Sequence, residues 1–348
     1  MSNLRIISLV VGFISLLLSF AIFRGPRWRR SNFILFGILS LLLIGSSLNP
    51  NLLNTIMSIL ALKMEQRGRI LVLLIFSNIF LWFILLYQKI KYDDLIYQFD
   101  VLVRNLGISE AKLLLLDKKM EAKEIMVIIP AYNEAENLKL ILSKIPSIVE
   151  DKKVGVIVVD DGSNDNTIEI VQSFGYLTIR NMTHRGGGAA LRLGYDVIKY
   201  LNPEVIVTMD ADGQHNPQEI SRLVNPILQN KYDFVIGSRL LGAKEKDNRL
   251  RFVGLLIFNN IINFLLGTKI SDCSSGFRAF KVGLLNYITF EEDQYHTSEL
   301  IIEAAKKGVR IGEVPITIAK RHYGISRKGE DWKYGLNFAK VIIKTWWR

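Results

Sequence analysis

The sequence predicts an α/β domain on a mostly parallel sheet, preceded by an α-helical transmembrane domain. From Ile125 onward, short β-branched runs alternate with polar turns and helical periodicity, the pattern of parallel strands joined by helices. Three uncharged stretches occupy the first 91 residues, and the rest has the texture of a soluble domain. Acidic turns follow three separate strands, and sheets of this kind bind ligands beyond the carboxyl ends of their strands.

At 348 residues, with mean hydropathy +0.23, the chain has room for one large domain and an extra module. Ile6–Phe23, Ser31–Leu62 and Ile70–Gln88 carry no charge. Each approaches or exceeds the ~20 residues a helix needs to cross ~30 Å of hydrocarbon. Spans are expected at about 5–23, 33–48 and 70–88, within a transmembrane domain 1–91. Asn49-Pro50-Asn51 breaks the middle run, and Leu52–Leu62 is then an interfacial or re-entrant segment. The first run lacks a small-residue cleavage site and is read as retained. Arg24, Arg27, Arg29 and Arg30 place the first loop in the cytoplasm, and with three spans the rest of the chain is expected there too, on the plasma membrane. Lys89 and Lys91 agree with that orientation; Lys63, Arg67 and Arg69 oppose it.

The net charge of +11 is assigned to lipid headgroups and phosphates, not nucleic acid. A single cysteine, Cys273, excludes an intrachain disulfide. Self-association into a homo-oligomer stays open.

Residues 92–123 are charged with apolar side chains at helical spacing (Leu95, Phe99, Leu102, Leu106), a helical neck. The α/β domain is expected over 124–329. Its first strand, Ile125–Ile129, ends in Pro130-Ala131-Tyr132-Asn133-Glu134, and the next, Val154–Val159, ends in Asp160-Asp161-Gly162-Ser163. Taken alone, the second turn serves equally as a helix N-cap. Thr183–Arg192 contains a glycine cluster opening a helix, where backbone N–H groups such as that of Gly188 make an anion site. Its order is neither G-x-x-x-x-G-K-[ST] nor G-x-G-x-x-G, so neither a P-loop nor a dinucleotide fingerprint follows.

Val205–Thr208 leads into Met209-Asp210-Ala211-Asp212-Gly213-Gln214. Carboxylates at i and i+2 of a continuing strand point the same way, and hard oxygen ligands suit Mg²⁺ or Mn²⁺. An isolated Asp-x-Asp is also what a tight turn uses, and both readings stand on this motif alone.

In order, Pro130-Ala131-Tyr132-Asn133-Glu134, Asp160-Asp161-Gly162-Ser163, Asp210-Ala211-Asp212-Gly213-Gln214, Gly237-Ser238-Arg239 and Asp272-Cys273-Ser274-Ser275-Gly276-Phe277-Arg278 resemble the motifs of family 2 glycosyltransferases, and look most like the polyprenyl-phosphate (dolichol-phosphate) mannose or glucose synthase branch. The resemblance covers about Glu124 to Gly329. It implies a GT-A fold binding a nucleotide-sugar, with the metal on Asp210, Asp212 and Gln214. It also implies a nucleotide site lined by Pro130, Tyr132, Glu134 and Asp161. The uncharged N-terminal part is similar to a three-span domain found beside such enzymes. One departure is Gly187, where the family often has lysine; Arg185 or Arg192 is the candidate replacement.

A lipid phosphate acceptor is already anionic near pH 7, so the protein's task is alignment by guanidinium groups instead of deprotonation. Beside Asp212, the catalytic candidates are Arg239, Arg251, Arg321 and Arg327. The last two flank a segment resembling the family's R-x-x-G-x-S-K motif, with arginine in place of lysine. Glu299 matches a family glutamate near the site. His184, His215, His296 and His322 lack metal-ligand spacing. Residues 330–348 combine tryptophans and lysines in an amphipathic helix suited to a membrane surface or to packing on the domain.

The expected function is therefore metal-dependent transfer of one hexose, with inversion, from UDP- or GDP-hexose to polyprenyl phosphate at the cytoplasmic face. A processive polysaccharide synthase is the rival, disfavoured by the missing Q-x-x-R-W motif and the lack of later spans. A non-catalytic scaffold binding nucleotide or anionic lipid is the other.

Overall fold

A computed structural model describes residues 3–23, 37–49 except 39, 42 and 46, 68–117, 123–242, 249–293, 295–321, 323 and 331–348. The chain divides into two compact units, 1–101 and 102–348. In the first, helix α1 (Asn3–Phe23) turns Gly12, Ser15 and Ser19 inward, and Ser40 Oγ donates to Ser15 Oγ at 3.0 Å. Its larger side chains, among them Phe13, Leu17 and Phe20, are exposed.

Helix α2 runs unbroken over Gly68–Asp117. The apolar stretch 70–88 thus passes straight into Lys89, Lys91, Asp93 and Asp94, because no proline, and no glycine before Gly107, interrupts it. Among the described residues no helix is long and apolar enough to cross a membrane, so the three-span domain is not supported. The arginine loop 24–30 and the segment 52–62 lie outside the described residues.

The second unit carries an α/β sheet. The elements are β1 (Ile125–Ala131), α3 (Ala135–Leu142), β2 (Ile148–Val149), β3 (Lys152–Asp160), α4 (Thr167–Ser173), β4 (Leu177–Arg180), α5 (Gly187–Leu201) and β5 (Val205–Thr208). There follow α6 (Ile220–Leu228), β6 (Phe234–Ser238), α7 (Arg249–Leu266), β7 (Arg278–Lys281), α8 (His296–Lys306), β8 (Ile311–Pro315) and α9 (Asp331–Trp347). Among the described residues the sheet has eight strands in the order β2-β3-β1-β5-β7-β6-β8, with β4 also on β3. β4, β3, β1 and β5 are mutually parallel and β6 pairs parallel with β8, while β7 runs antiparallel to β5 and β6. This is the GT-A-like α/β fold expected, with a mixed sheet.

β1 is central and apolar throughout because both faces of the sheet are covered. Alternate residues feed two cores: Met126, Ile128, Ile157 and Ile206 meet α5 on one face, and Val127, Ile129, Val158 and Val207 meet α3 and α6 on the other. The in-register pairs Ala131↔Asp160 and Ile128↔Thr208 bring the ends of β1, β3 and β5 to one edge. Their turns make the site.

Candidate active site

The turns after β1 and β3 are stitched together by side chains. Asn133, at φ 53°, donates its N–H to Ser163 Oγ at 2.8 Å and accepts from Asn164 N at 2.8 Å. Glu134 N donates to Thr167 Oγ1 at 3.1 Å, and Ala135 N to Asp165 Oδ2. Left-handed backbone is tolerated by asparagine, whose short amide bonds locally. Beneath, buried Asp160 accepts from Ser163 N and pairs with Arg180 Nε at 3.2 Å.

Asp161 organises the neighbouring loop. Its buried carboxylate accepts from Asn181 Nδ2 at 2.9 Å, Arg185 N at 3.1 Å and Gly186 N at 2.6 Å, and lies 2.9 Å from His184 Nδ1. Burial raises its pKa, and these hydrogen bonds oppose the rise. His184 in turn stacks on Tyr132, with ring centroids 3.7 Å apart. Pro130, half-buried one residue inside the end of β1, pairs with Val159. Gly188 opens α5, but its N–H already donates to the Asp293 carbonyl at 2.9 Å.

Asp210 and Asp212 follow β5. The Asp210 N–H donates to His215 Nδ1 at 3.3 Å, which leaves the ring proton on Nε2, and His215 stacks on Phe277 at 5.0 Å. Gly213, at φ 77°, turns the chain, and Asp212 Oδ1 accepts from Gln214 N at 3.1 Å. A Cβ on Gly276 would sit 2.6 Å from Asp210 Oδ1, so only glycine leaves room for that carboxylate. The Gln214 side-chain amide donates to Ala319 O at 3.2 Å, pinning the turn to the segment after β8. Burial first, and the neighbouring Asp210 second, raise the Asp212 pKa. Among the described residues no group of three or more His, Cys, Asp and Glu side chains is arranged to hold a metal. The pair still suits a hard divalent ion: two close carboxylates repel each other, and a cation that also takes phosphate oxygens relieves the repulsion.

The arginines divide. Arg321 Nη2 donates to Glu134 Oε1, and its Nε to Tyr323 O at 2.7 Å; Asn137 Nδ2 donates to the other Glu134 oxygen at 2.6 Å. Burial raises the Glu134 pKa against these bonds. Arg239 Nε donates to buried Asp272 Oδ2 at 2.7 Å and its Nη2 to Ser274 Oγ at 3.0 Å, tying the end of β6 to the turn before β7. Arg251 lies in the first turn of α7 with its side chain outside the described residues, as Arg327 is entirely. Arg185 and Arg192 both reach Asp293. Glu299 is fully buried, accepts from Glu291 N and Glu292 N, and lies 3.2 Å from Arg348 Nη2.

Several residues here carried no role in the sequence. Asp272, Gly276 and Arg278 lay inside a recognised motif, whereas Asn137 and Asp293 gave no signal at all. Arg278 is fully buried, its acceptors among the described residues being carbonyls, Ser275 O at 2.6 Å and Cys273 O at 3.0 Å among them, and burial brings its pKa down to about 10. His296, with Nδ1 unpartnered among the described residues, is brought to about 4 by burial and by Arg278.

Residues 126–289 match the model of "Glycosyl transferase family 2". A polyprenol monophosphomannose synthase of Mycolicibacterium smegmatis is 34% identical over 232 residues, 63% of this chain and 84% of that protein. The chain belongs to glycosyl transferase family 2. A second relative, the UDP-N-acetylglucosamine--dolichyl-phosphate N-acetylglucosaminyltransferase of Methanococcus voltae, is 33% identical over 230 residues, 60% of this chain and 90% of that one. The fold of this family 2 glycosyltransferase is shared by glucosyl-3-phosphoglycerate synthase of Mycobacterium tuberculosis, solved with Mn²⁺, UDP and glucosyl-3-phosphoglycerate. The TM-score is 0.52 at 20% identity, over 68% of this chain and 83% of that one. Family 2 membership makes the chain a glycosyltransferase.

Proposed function

We propose that this glycosyltransferase moves one hexose from UDP- or GDP-hexose to polyprenyl phosphate, with inversion at the anomeric carbon. The observation that carries the reading is the meeting, past the ends of β1 and β5, of a carboxylate pair with the Glu134–Arg321 ion pair. The relatives named for dolichyl- and polyprenyl-phosphate acceptors, which share the catalytic domain, support it.

Asp210 and Asp212 would hold Mg²⁺ or Mn²⁺. Such an ion, when bound, neutralises the charge that develops on a departing diphosphate. Gln214 is proposed to act indirectly, since its amide braces the Asp212 turn on Ala319. The Tyr132–His184 stack presents a planar surface beside Asp161, suited to a nucleobase, with Pro130 and Glu134 at the same strand end. Arg321 supplies a guanidinium at the site, and Arg251 and Arg327 are proposed as its partners on the acceptor phosphate. Arg239, held by Asp272, is proposed to fix the shape of the site. A phosphate nucleophile is already anionic, so no base is required from the protein.

The site of action is proposed to be the cytoplasmic face of the plasma membrane, with the enzyme attached there. The uncharged N-terminal stretches and the 24–30 arginine cluster support this, as do exposed apolar side chains on α7 and α9, Phe264 and Trp347 among them.

The deciding experiment incubates the full-length protein with labelled UDP- and GDP-hexoses, polyprenyl phosphate and Mn²⁺ or Mg²⁺, with chelator controls. Transfer to a single-sugar lipid phosphate that chelator abolishes is expected. No transfer from any donor, or growth of a polymer, would overturn the reading.

A further inference from the structure

Arg185, Arg192 and Asp293 form a cluster that the proposed reaction leaves without a role. Arg192, on α5, has a side chain only 6% exposed, and its Nη2 donates to Asp293 Oδ1. Arg185 Nη2 donates to the other oxygen, Asp293 Oδ2, at 3.4 Å. One carboxylate therefore bridges two guanidinium groups, the donor arrangement that also grips a phosphate.

The cluster sits against the nucleotide side of the site. The Arg185 N–H is anchored on Asp161, and the Asp293 carbonyl covers the Gly188 N–H at the opening of α5. A Cβ on Gly188 would clash with Glu292 O, so the loop lies directly on the glycine cluster.

Asp293 differs from its neighbours in how it is held. Glu291 and Glu292 are tied from α9 by Lys344 and Arg348, and their N–H groups donate to Glu299. The Asp293 side chain, 41% exposed, has the arginines as its partners. An anion offsets the cost of burying a guanidinium, and here the more exposed Asp293 carboxylate supplies one.

We propose that Arg185 and Arg192 form a phosphate-binding site that Asp293 fills in the free enzyme, and that a substrate phosphate displaces it. The site supplies the positive charge that Gly187 lacks. The ligand is a phosphate group, from the donor's diphosphate or the acceptor's monophosphate. The inference rests on the phosphate chemistry of the proposed function, but its test does not need turnover.

The test measures binding of inorganic pyrophosphate and of a short-chain prenyl monophosphate to full-length protein in chelator, comparing wild type with Asp293→Asn. The Kd is expected to fall at least fivefold for one or both probes in D293N, and the gain to vanish in D293N combined with Arg185→Ala. A gain for pyrophosphate assigns the donor phosphates, and a gain for the prenyl phosphate assigns the acceptor. Equal or weaker binding of both overturns the proposal. If D293N does not fold, hydrogen exchange on wild type decides. Probe binding is expected to speed exchange of the 290–293 amides, and unchanged or slower exchange overturns the proposal. A wild type that transfers no sugar refutes the reaction instead, separately from either result.

Discussion

Arg321, beyond β8, donates to Glu134, at the end of β1, and so joins two segments 187 residues apart in sequence. Asn137 closes the same junction, donating to both Glu134 and Tyr323 O. The segment that leads into the proposed acceptor motif is thus seated on the donor-side turn. Arg321→Ala leaves the half-buried Glu134 without its guanidinium, whereas Glu134→Gln keeps a hydrogen-bonding side chain there. Removing a charged partner costs more than neutralising one, by about 1–2 kcal/mol. The expected order of kcat/KM toward polyprenyl phosphate is wild type, then E134Q, then R321A, the last at least tenfold down. Transfer rates across acceptor concentrations check the order, and a reversal rejects this role for the pair.

Gly276 is the strictest steric requirement at the carboxylate pair. Alanine would place its Cβ 2.6 Å from Asp210 Oδ1, closer than such atoms approach, and the backbone there is fixed by Thr208 Oγ1 bonding to Gly276 O at 2.8 Å. The carboxylate must therefore move. Gly276→Ala is expected to raise the Mn²⁺ concentration for half-maximal activity by about tenfold or more, a displacement of about an ångström being enough for such losses. The far-ultraviolet circular dichroism should stay unchanged. A metal titration identical to wild type would show that Asp210 is not a ligand.

Asp161 predicts a stability effect. It satisfies the N–H groups of Arg185 and Gly186 in the loop that leads into α5. Asp161→Ala strands those donors beside the sheet and is expected to cost about 2–3 kcal/mol in urea unfolding. Asp161→Asn, retaining one acceptor oxygen, should cost less.

Sequence pattern exposed the parts of the molecule that obey local rules. The β1, β3 and β5 runs are apolar because both sheet faces are covered, and their turns are polar because the side chains there bond loop N–H and guanidinium groups at the strand ends. The same pattern places Asp210 and Asp212 just past the end of β5. What stayed hidden depends on distant partners: nothing near Asn137 foretells Tyr323, and nothing near Arg192 foretells Asp293, 101 residues on. Arg239 shows the same dependence on a distant partner. A guanidinium after a strand looks free for a phosphate until the fold brings Asp272 to it. The apolar stretch 70–88 and the helical neck expected after it form one helix, since hydropathy alone does not end a helix, and α2 continues to Asp117.

The outer faces of α7 and α9 predict interfacial behaviour. Val253, Ile257, Ile261 and Phe264 recur along α7, with Phe264 88% exposed, and Leu336, Ile343 and Trp347 recur along α9. Phe264→Glu and Trp347→Glu should each weaken binding to anionic vesicles roughly tenfold, the loss expected when one large apolar side chain no longer inserts. Vesicle sedimentation at fixed salt measures it. Undiminished binding in both variants would assign these faces to another partner.

Asp212 sets function against stability. Its pKa is raised above the ordinary 3.8, by burial first and by Asp210 second. The folded state therefore favours the protonated acid. That stability is fully present below about 3.8 and is lost as pH rises through the higher folded value. At pH near 7 the ionised side chain disfavours the fold, and Asp212→Asn removes that charge. In chelator the variant is expected to melt higher than wild type near neutrality. A gain of about 1 kcal/mol corresponds to about 2–4 °C in a domain of this size. The difference should close as pH falls toward 3.8. With Mn²⁺ in excess the order should invert, because only the carboxylate pair binds the ion and gains from it by mass action. The same variant should lose at least 100-fold in transfer rate. Calorimetry at two pH values, with and without Mn²⁺, checks each sign, and a wild type indifferent to the metal would remove Asp212 from the metal site.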